Sequence, residues 1–206
     1  EEFSNPKQRL LFKNIVYVGA LSYLLDMDKE IMDASILDAA AYKLEAKLRG
    51  GKRYWTIFSR KRTGSGITWE RVKSSMDDTP GGESVENSAC GNASFEFYHF
   101  NIKPQSFYNL PIQRKAVKDF LDSWSGIKIF KDKVRMNPYG EKGHTLYDWV
   151  ELQRRQRFFR TNIVGFVWLN SKDNPDITEV ASRQALTEND AFLSMRDELV
   201  FEPLVT

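Results

Sequence analysis

One arginine of this sequence has the surroundings of a side chain that reaches a phosphate group. Arg183 lies within "ITEVASRQALTEND" (177–190), among small and polar residues and shortly before a predicted helix start. A guanidinium group stays charged at neutral pH and presents a planar fork of N–H donors that matches phosphate oxygens. It can neutralise the charge that develops on a transferred phosphoryl group. The simpler interpretation is a solvated side chain or an ion-pair partner of Glu179 or Glu188.

A second group of residues could contact nucleic acid. The segment "ELQRRQRFFR" (151–160) interleaves arginines with Phe158 and Phe159, and this pattern can combine phosphate contacts with base stacking. The chain has 30 Lys and Arg against 28 Asp and Glu, so its net charge of +2 gives no strong field around the whole protein. A basic surface that packs two aromatic rings is the alternative. The candidate nucleic-acid contacts are Arg154, Arg155 and Arg157.

The sequence contains no recognisable motif for other kinds of catalytic chemistry. The two histidines, His99 and His144, lie far apart, and with Cys90 as the single cysteine neither a zinc-finger nor an HExxH spacing exists. A nucleophile elbow and a phosphate-binding P-loop are also missing. We therefore expect no metal site, a packed core role for His99 and a passive thiol at Cys90. A small enzyme with an unrecognised acid–base site stays a weak third alternative.

Composition indicates where the protein works. A lone cysteine favours a reducing, cytoplasmic compartment, since it cannot form an internal disulfide. Apolar runs fall short of the roughly 20 residues that a membrane-spanning helix needs, so we expect no membrane association. The chain begins "EEFSNPKQ" without an initiator methionine, and we expect it to be a piece of a longer protein.

The N-terminal part is predicted to be helical. Residues 12–25 are almost continuously apolar and fit either a buried strand that leads into a helix or one buried helix. From Asp28 to Leu48, apolar residues recur at steps of four, which predicts an amphipathic helix that Gly50–Gly51 end. We assign residues 1–50 to a helical N-terminal segment.

The remainder, 51–206, is predicted to be an α/β domain. Its fold class is α/β (α+β), a mostly antiparallel sheet with packed helices. Residues 73–92 are predicted to be a long loop and 126–140 a hairpin that turns at Lys131–Asp132. The predicted strands are 52–60, 66–72, 93–102 and 161–170, and the predicted helices are 110–124 and one that begins near Thr187.

The order of segments in the second half resembles a known family. "GIKIFKDKVRMNPYGEKG", "YDWVELQRRQ" and "NIVGFVWLNSKDNPDITEVASRQALTENDAF" follow one another as in the region after the nucleotide domain of bacterial GHKL-type ATPases. That class includes gyrase B, the mismatch-repair ATPases and the ninety-kilodalton heat-shock chaperone. The resemblance covers residues 90–203, and residues 1–89 carry little of it. It implies a transducer-type fold with a left-handed βαβ crossover.

The resemblance also implies site residues and partners. "ASRQAL" is similar to the family's Asn-Arg-Glu-Gly-Leu, which places on Arg183 the basic residue that reaches the γ-phosphate, with Gln184 beside it. Gln184 replaces the usual acid and Ala185 the usual glycine. Arg135 and Tyr139 would then contact the neighbouring domain.

By the same resemblance, ATP and Mg²⁺ belong to the full-length protein. They would be held by an N-terminal nucleotide-binding domain of the same protein, and a homodimer is a further expected partner. The expected activity is ATP hydrolysis coupled to conformational change, with no activity in this fragment alone. The alternative function is a nucleic-acid or protein binding module that uses 151–160.

Overall fold

The structure is a computed structural model, and most of what it describes belongs to one compact unit, Asp38–Thr206. The predicted apolar segment 12–25 and the first part of the predicted helix, 28–35, lie outside the described residues. The α/β domain begins before the predicted boundary at residue 51. The residues described are 36–63, 66–85, 89–144, 147–152, 158–180 and 185–205.

The first strand corrects part of the predicted N-terminal helix. Tyr42–Arg49 (β1) is a strand that pairs with strands on both sides, so the helical prediction is wrong for these residues. The four-residue spacing of Leu44 and Leu48 fits a helix face and also an alternating strand. Ala46 is 1% exposed and lies with them on the buried face, while charged residues alternate with them. Buried and exposed residues alternate along this segment, and strands pair with it on both sides, so it forms a strand and not a helix.

A mixed sheet forms the domain, which confirms the predicted fold class. The described residues form a sheet of eight strands. Seven of them follow the order β3-β2-β1-β5-β8-β6-β7, and the eighth, β4, pairs with β2. Every named pair is antiparallel except β6 and β8, which are parallel. The predicted central positions of the strands near 93–102 and 161–170 are correct. The remaining strands are β2 (Lys52–Thr63), β3 (Gly66–Ser74), β4 (Glu83–Ser84), β5 (Ala93–His99), β6 (Gly126–Lys131), β7 (Val134–Met136) and β8 (Ile163–Leu169).

The helices begin later than predicted. The helix expected from residue 110 starts at Arg114, because Gln113 is still extended. The last helix is capped by Asn189, whose side chain accepts a hydrogen bond from Phe192 N, and not by a residue at Thr187. The α-helices are α1 (Ser75–Asp78), α2 (Arg114–Trp124), α3 (Trp149–Leu152), α4 (Asp190–Ser194) and α5 (Glu202–Val205), with a π-helix at Met195–Phe201 between α4 and α5.

Two connections differ in detail from their predictions. The predicted loop 73–92 contains α1, which begins with a capping box between Ser74 and Asp77, and the short strand β4. The hairpin β6–β7 is confirmed, but its turn consists of Asp132 and Lys133, both with positive φ (50° and 67°). Two left-handed residues match the right-handed twist of the strands they join.

Each face of the sheet is packed against helix. On one face α2 buries Val117, Phe120 and Leu121, with the Phe120 ring 6.3 Å from that of Phe100. On the other face lies the main core, which includes the C-terminal helical segment 190–205. The predicted inner stripe of this segment is confirmed, because all of its residues are buried: Ala191, Phe192, Met195, Leu199 and Val200.

Candidate functional site

The residues on either side of Arg183 are bonded to each other. Arg183 and Gln184 themselves lie outside the described residues. Two backbone hydrogen bonds join the residues before this segment to those after it. Val180 N donates to Ala185 O at 2.9 Å, and Thr187 N donates to Thr178 O at 2.7 Å. An isolated antiparallel bridge joins Glu179 and Leu186 between these two bonds. Residues 178–180 and 185–187 thus form a short two-stranded clamp, and the segment 181–184 connects its two strands.

Tyr139 holds this clamp from the core. Its hydroxyl accepts a hydrogen bond from Leu186 N at 3.0 Å, and the Tyr139 side chain is 1% exposed. Aromatic rings surround it, with centroids 5.3 Å away at Tyr147, 5.8 Å at Trp149 and 5.9 Å at Phe192. Burial raises the pKa of Tyr139 to about 12, against the opposing effect of the bond from Leu186, so the hydroxyl stays neutral. The Tyr139 side chain thus packs inside this domain, and its predicted contact with a neighbouring domain stays a prediction.

Gly140 lets the loop before the clamp lie against the sheet. Its φ is +69°, and a Cβ at this position would lie 2.5 Å from Ile127 O. A side chain would therefore collide with backbone and also be strained by the left-handed conformation. Gly140 N donates to Tyr147 O, which closes the loop that carries Tyr139.

A buried ion pair secures the same loop. Asp148 has a fully buried carboxylate, which pairs with the guanidinium of Arg160 and accepts from Val150 N at 3.2 Å. Arg160 Nη2 also donates to Gly140 O at 3.0 Å. A buried carboxylate needs such partners because water cannot solvate it. Arg160, one of the four arginines of the 151–160 segment, is thus occupied within the fold.

Arg135 remains at the surface, where a contact with another domain stays a prediction. Its side chain is 29% exposed, pairs with Glu141 at 2.5 Å and lies 5.5 Å over the Trp124 ring. The contact with Glu141 is an ion pair and not an aligned hydrogen bond, and Nε has no hydrogen-bond partner among the described residues. Both Nε and Nη2 are buried atoms, so they do not face a partner outside the chain.

Lys128 is not among the site residues that the sequence predicts. It lies beside Arg135 but is fully buried. Its Nζ donates to Trp124 O at 2.6 Å and Ser125 O at 3.0 Å, which satisfies carbonyls at the end of α2. Burial, and then repulsion from Arg135, lowers the pKa of Lys128 to about 7, while Glu141 opposes the shift. Lys128 is 0% exposed, and its two hydrogen bonds support the helix end. In the sequence, Lys128 lies between the apolar residues of β6, and this pattern does not indicate that its amino group bonds to the end of a helix.

The alternative nucleic-acid segment is only partly described. Arg154, Arg155 and Arg157 lie outside the described residues. Phe158 packs edge-on against Phe97 at 5.1 Å and belongs to the fold, whereas Phe159 is 73% exposed. Of the two aromatic rings expected to stack on bases, one is therefore available.

Comparisons with protein-family models, curated proteins and solved structures found no match. In the described ranges, no set of three or more His, Cys, Asp or Glu residues is placed to hold a metal ion. Nor does any helix there combine the length and apolar character that crossing a bilayer requires. Cys90 is buried and is a free cysteine, and its role as a passive thiol stays a prediction.

Proposed function

We propose that this chain is the transducer-like domain of a GHKL-type ATPase, in which Arg183 reaches the γ-phosphate of ATP bound by a separate N-terminal domain. The sequence resemblance over 90–203 motivates the proposal. The observed order of strand β5, helix α2, hairpin β6–β7, strand β8 and C-terminal helix is the order that the resemblance implies. The strands that α2 connects, β5 and β6, run antiparallel to each other, since β8 pairs antiparallel with β5 and parallel with β6. The left-handed βαβ crossover therefore rests on the resemblance alone.

One contact carries the proposal. The segments "RMNPYG" and "ASRQAL" are separate motifs of the resemblance, and the hydrogen bond from Leu186 N to the Tyr139 hydroxyl joins them. Two motifs that meet through a buried polar bond are expected to serve one site, because such a bond fixes their relative position. The bond lies three residues from Arg183.

The clamp fixes the residues on either side of the 181–184 segment. A backbone hydrogen bond joins Val180 to Ala185 and an isolated bridge joins Glu179 to Leu186, so the two points that this segment connects are held close together. The charged fork would then be brought to the phosphate, or withdrawn, by movement of this domain relative to the nucleotide domain. ATP and Mg²⁺ would be held by residues of that other domain, and this chain would contribute the cation.

Single-turnover kinetics of the full-length protein with MgATP test the proposal. Arg183→Ala should lower the rate of hydrolysis by about 10³-fold or more, the magnitude associated with such arginines. The affinity for a non-hydrolysable ATP analogue should fall much less, because the interaction forms mainly in the transition state. This fragment alone should neither bind nor hydrolyse ATP measurably.

Arg62→Ala supplies the matched control, since Arg62 is an exposed arginine near the end of β2. It should leave both turnover and affinity unchanged. An Arg183→Ala protein that hydrolyses ATP at the normal rate would remove Arg183 from the site. Full-length protein without any ATPase activity would refute the proposed class.

The exposed ring of Phe159 supports the alternative of a nucleic-acid or protein binding module. Binding of the fragment to single-stranded DNA or RNA should then weaken with salt. It should be lost when Arg154, Arg155 and Arg157 are changed to Glu, and weakened by Phe159→Ala. Absence of salt-dependent binding by the unmodified chain would rule out nucleic acid as its partner.

A further inference from the structure

A cavity of about 270 Å³ lies on the core face of the sheet, between the strands and the C-terminal helix. Tyr42 and Val205, which are 51% and 61% exposed, stand at its rim, so it opens to solvent there. Its inner wall consists of Leu44, Ile57, Phe97, His99, Phe158 and Pro203.

The polar side chains that line the cavity are Lys43, His99 and, at the rim, Tyr42. Lys43 contributes to the wall, but its amino group pairs with Glu45 at 2.5 Å and lies 5.7 Å over the Tyr98 ring. Glu45 and Tyr98 alternate with the core-facing residues of their strands, so this charge lies on the opposite face of the sheet. A charged ligand would therefore find no ion-pair partner inside.

His99 is the polar group that faces the cavity. Its ring lies 5.7 Å from that of Phe158, and none of the hydrogen bonds among the described residues uses its imidazole. Burial lowers the pKa of His99, so the ring is neutral at pH 7, with one nitrogen that donates and one that accepts. A half-buried imidazole that forms no hydrogen bond with the described residues can receive an N–H or O–H group from a ligand.

Size and wall geometry define the ligand further. An apolar cavity of roughly 150 Å³ accommodates benzene. A volume of about 270 Å³ therefore suits two fused rings and is too small for a folded segment of another protein. Phe97 and Phe158 meet edge to face, which leaves ring surfaces against which a further aromatic ring can pack.

We propose that this cavity binds a small neutral aromatic molecule of one or two fused rings, anchored by one hydrogen bond to His99. Apolar contacts with Leu44, Ile57 and Phe97 supply most of the affinity. The imidazole fixes the orientation of the ring and selects molecules that carry a donor.

Indole is the probe for a titration of the methyl-labelled chain by NMR spectroscopy. We expect saturable shifts of the Leu44 and Ile57 methyl signals, with a Kd on the order of 1 mM for so small a ligand. N-methylindole, which has the ring but lacks the N–H donor, should bind about 2- to 10-fold more weakly. In His99→Phe the two probes should bind equally.

Two variants close the cavity in different ways. Ile57→Phe fills it from within, and Val205→Trp covers its rim at an exposed position that does not affect the core. Both should abolish the saturable shifts, whereas Val72→Trp, at a position 59% exposed on β3, should not.

Three results would overturn the proposal. The first is the absence of saturable shifts up to the solubility limit of indole. The second is binding that persists when Val205→Trp covers the rim of the folded chain. The third is equal affinity for indole and N-methylindole in the unmodified chain, because His99 would then make no contribution.

Discussion

Replacing Tyr139 by phenylalanine removes one oxygen atom from the core and leaves Leu186 N without its acceptor. The phenylalanine ring preserves the aromatic contacts with Tyr147, Trp149 and Phe192, so packing changes little. Leu186 is 2% exposed, and water cannot readily replace the lost hydroxyl. The change therefore isolates one buried hydrogen bond.

The expected loss follows from the cost of an unsatisfied buried donor. Such a group destabilises a fold by about 1–3 kcal/mol. For a domain of this size each kcal/mol lowers the melting temperature by about 2–4 °C. Urea denaturation should show a lower midpoint with an unchanged slope, because the surface exposed on unfolding stays the same. Exchange of the Leu186 amide hydrogen should become faster than in the unmodified chain.

Tyr147→Phe is the matched control, since it removes a hydroxyl from the neighbouring ring for which the described residues hold no hydrogen-bond partner. It should change stability by less than about 0.5 kcal/mol. If Tyr139→Phe were as stable as this control, and the Leu186 amide equally protected, the hydroxyl would not hold the clamp. In the full-length protein, Tyr139→Phe should also lower ATP turnover more than nucleotide affinity if the clamp positions Arg183.

Three further predictions concern the supports of this loop and the buried thiol. Gly140→Ala should destabilise the domain by more than 2 kcal/mol as judged by urea denaturation, whereas Gly143→Ala, also at positive φ but with open space around it, should cost only about 1 kcal/mol. Arg160→Met should cost about 3–5 kcal/mol in the same assay because it leaves the Asp148 carboxylate buried and unpaired, and adding Asp148→Asn should recover part of the loss; equal instability of the single and double variants would contradict the ion-pair account. Burial and then Glu198 raise the pKa of the Cys90 thiol from 9.0 to about 12, so it should not react with a disulfide reagent at pH 8 until the chain is unfolded. Since the unfolded chain loses this proton first, stability should fall as the pH rises from about 9 towards 12, and Cys90→Ala should reduce that fall.

The strands were predictable where the sequence alternates without ambiguity. The hairpin β2–β3 and the central strands β5 and β8 follow from runs of β-branched and aromatic residues. Strand β1 was missed because its buried leucines also fit a helical spacing. The helical pattern predicts that Gly50 and Gly51 end a helix, but both have positive φ and form the turn of the hairpin β1–β2. A Gly-Gly pair between two alternating segments is a hairpin signal, and weighing it against the helical pattern would have favoured the strand.

The candidate site was less predictable, because its contacts join residues distant in the sequence. Local patterns identify Gly140 as a turn residue, but nothing near Tyr139 indicates that its hydroxyl meets Leu186. The same holds for Arg160. In the sequence it is one of four arginines in 151–160, and only the structure shows its contact with Asp148. Short-range periodicity reports which face of an element is buried and does not report which buried groups meet.

These long-range contacts bear on the departure at residue 184. In the family an acid next to the arginine could orient it through an ion pair, and a glutamine at this position carries no charge with which to do so. The bonds that fix the two ends of the 181–184 segment run between Val180 and Ala185 and from Leu186 to Tyr139. They involve backbone groups and a hydroxyl in the core, so they do not depend on the side chain at 184. Under the proposed function, Arg183 would lack an ion-pair partner at position 184, whereas the bonds between the residues on either side of 181–184 would not change with the residue at 184. The proposed role of the arginine is therefore physically consistent with this sequence.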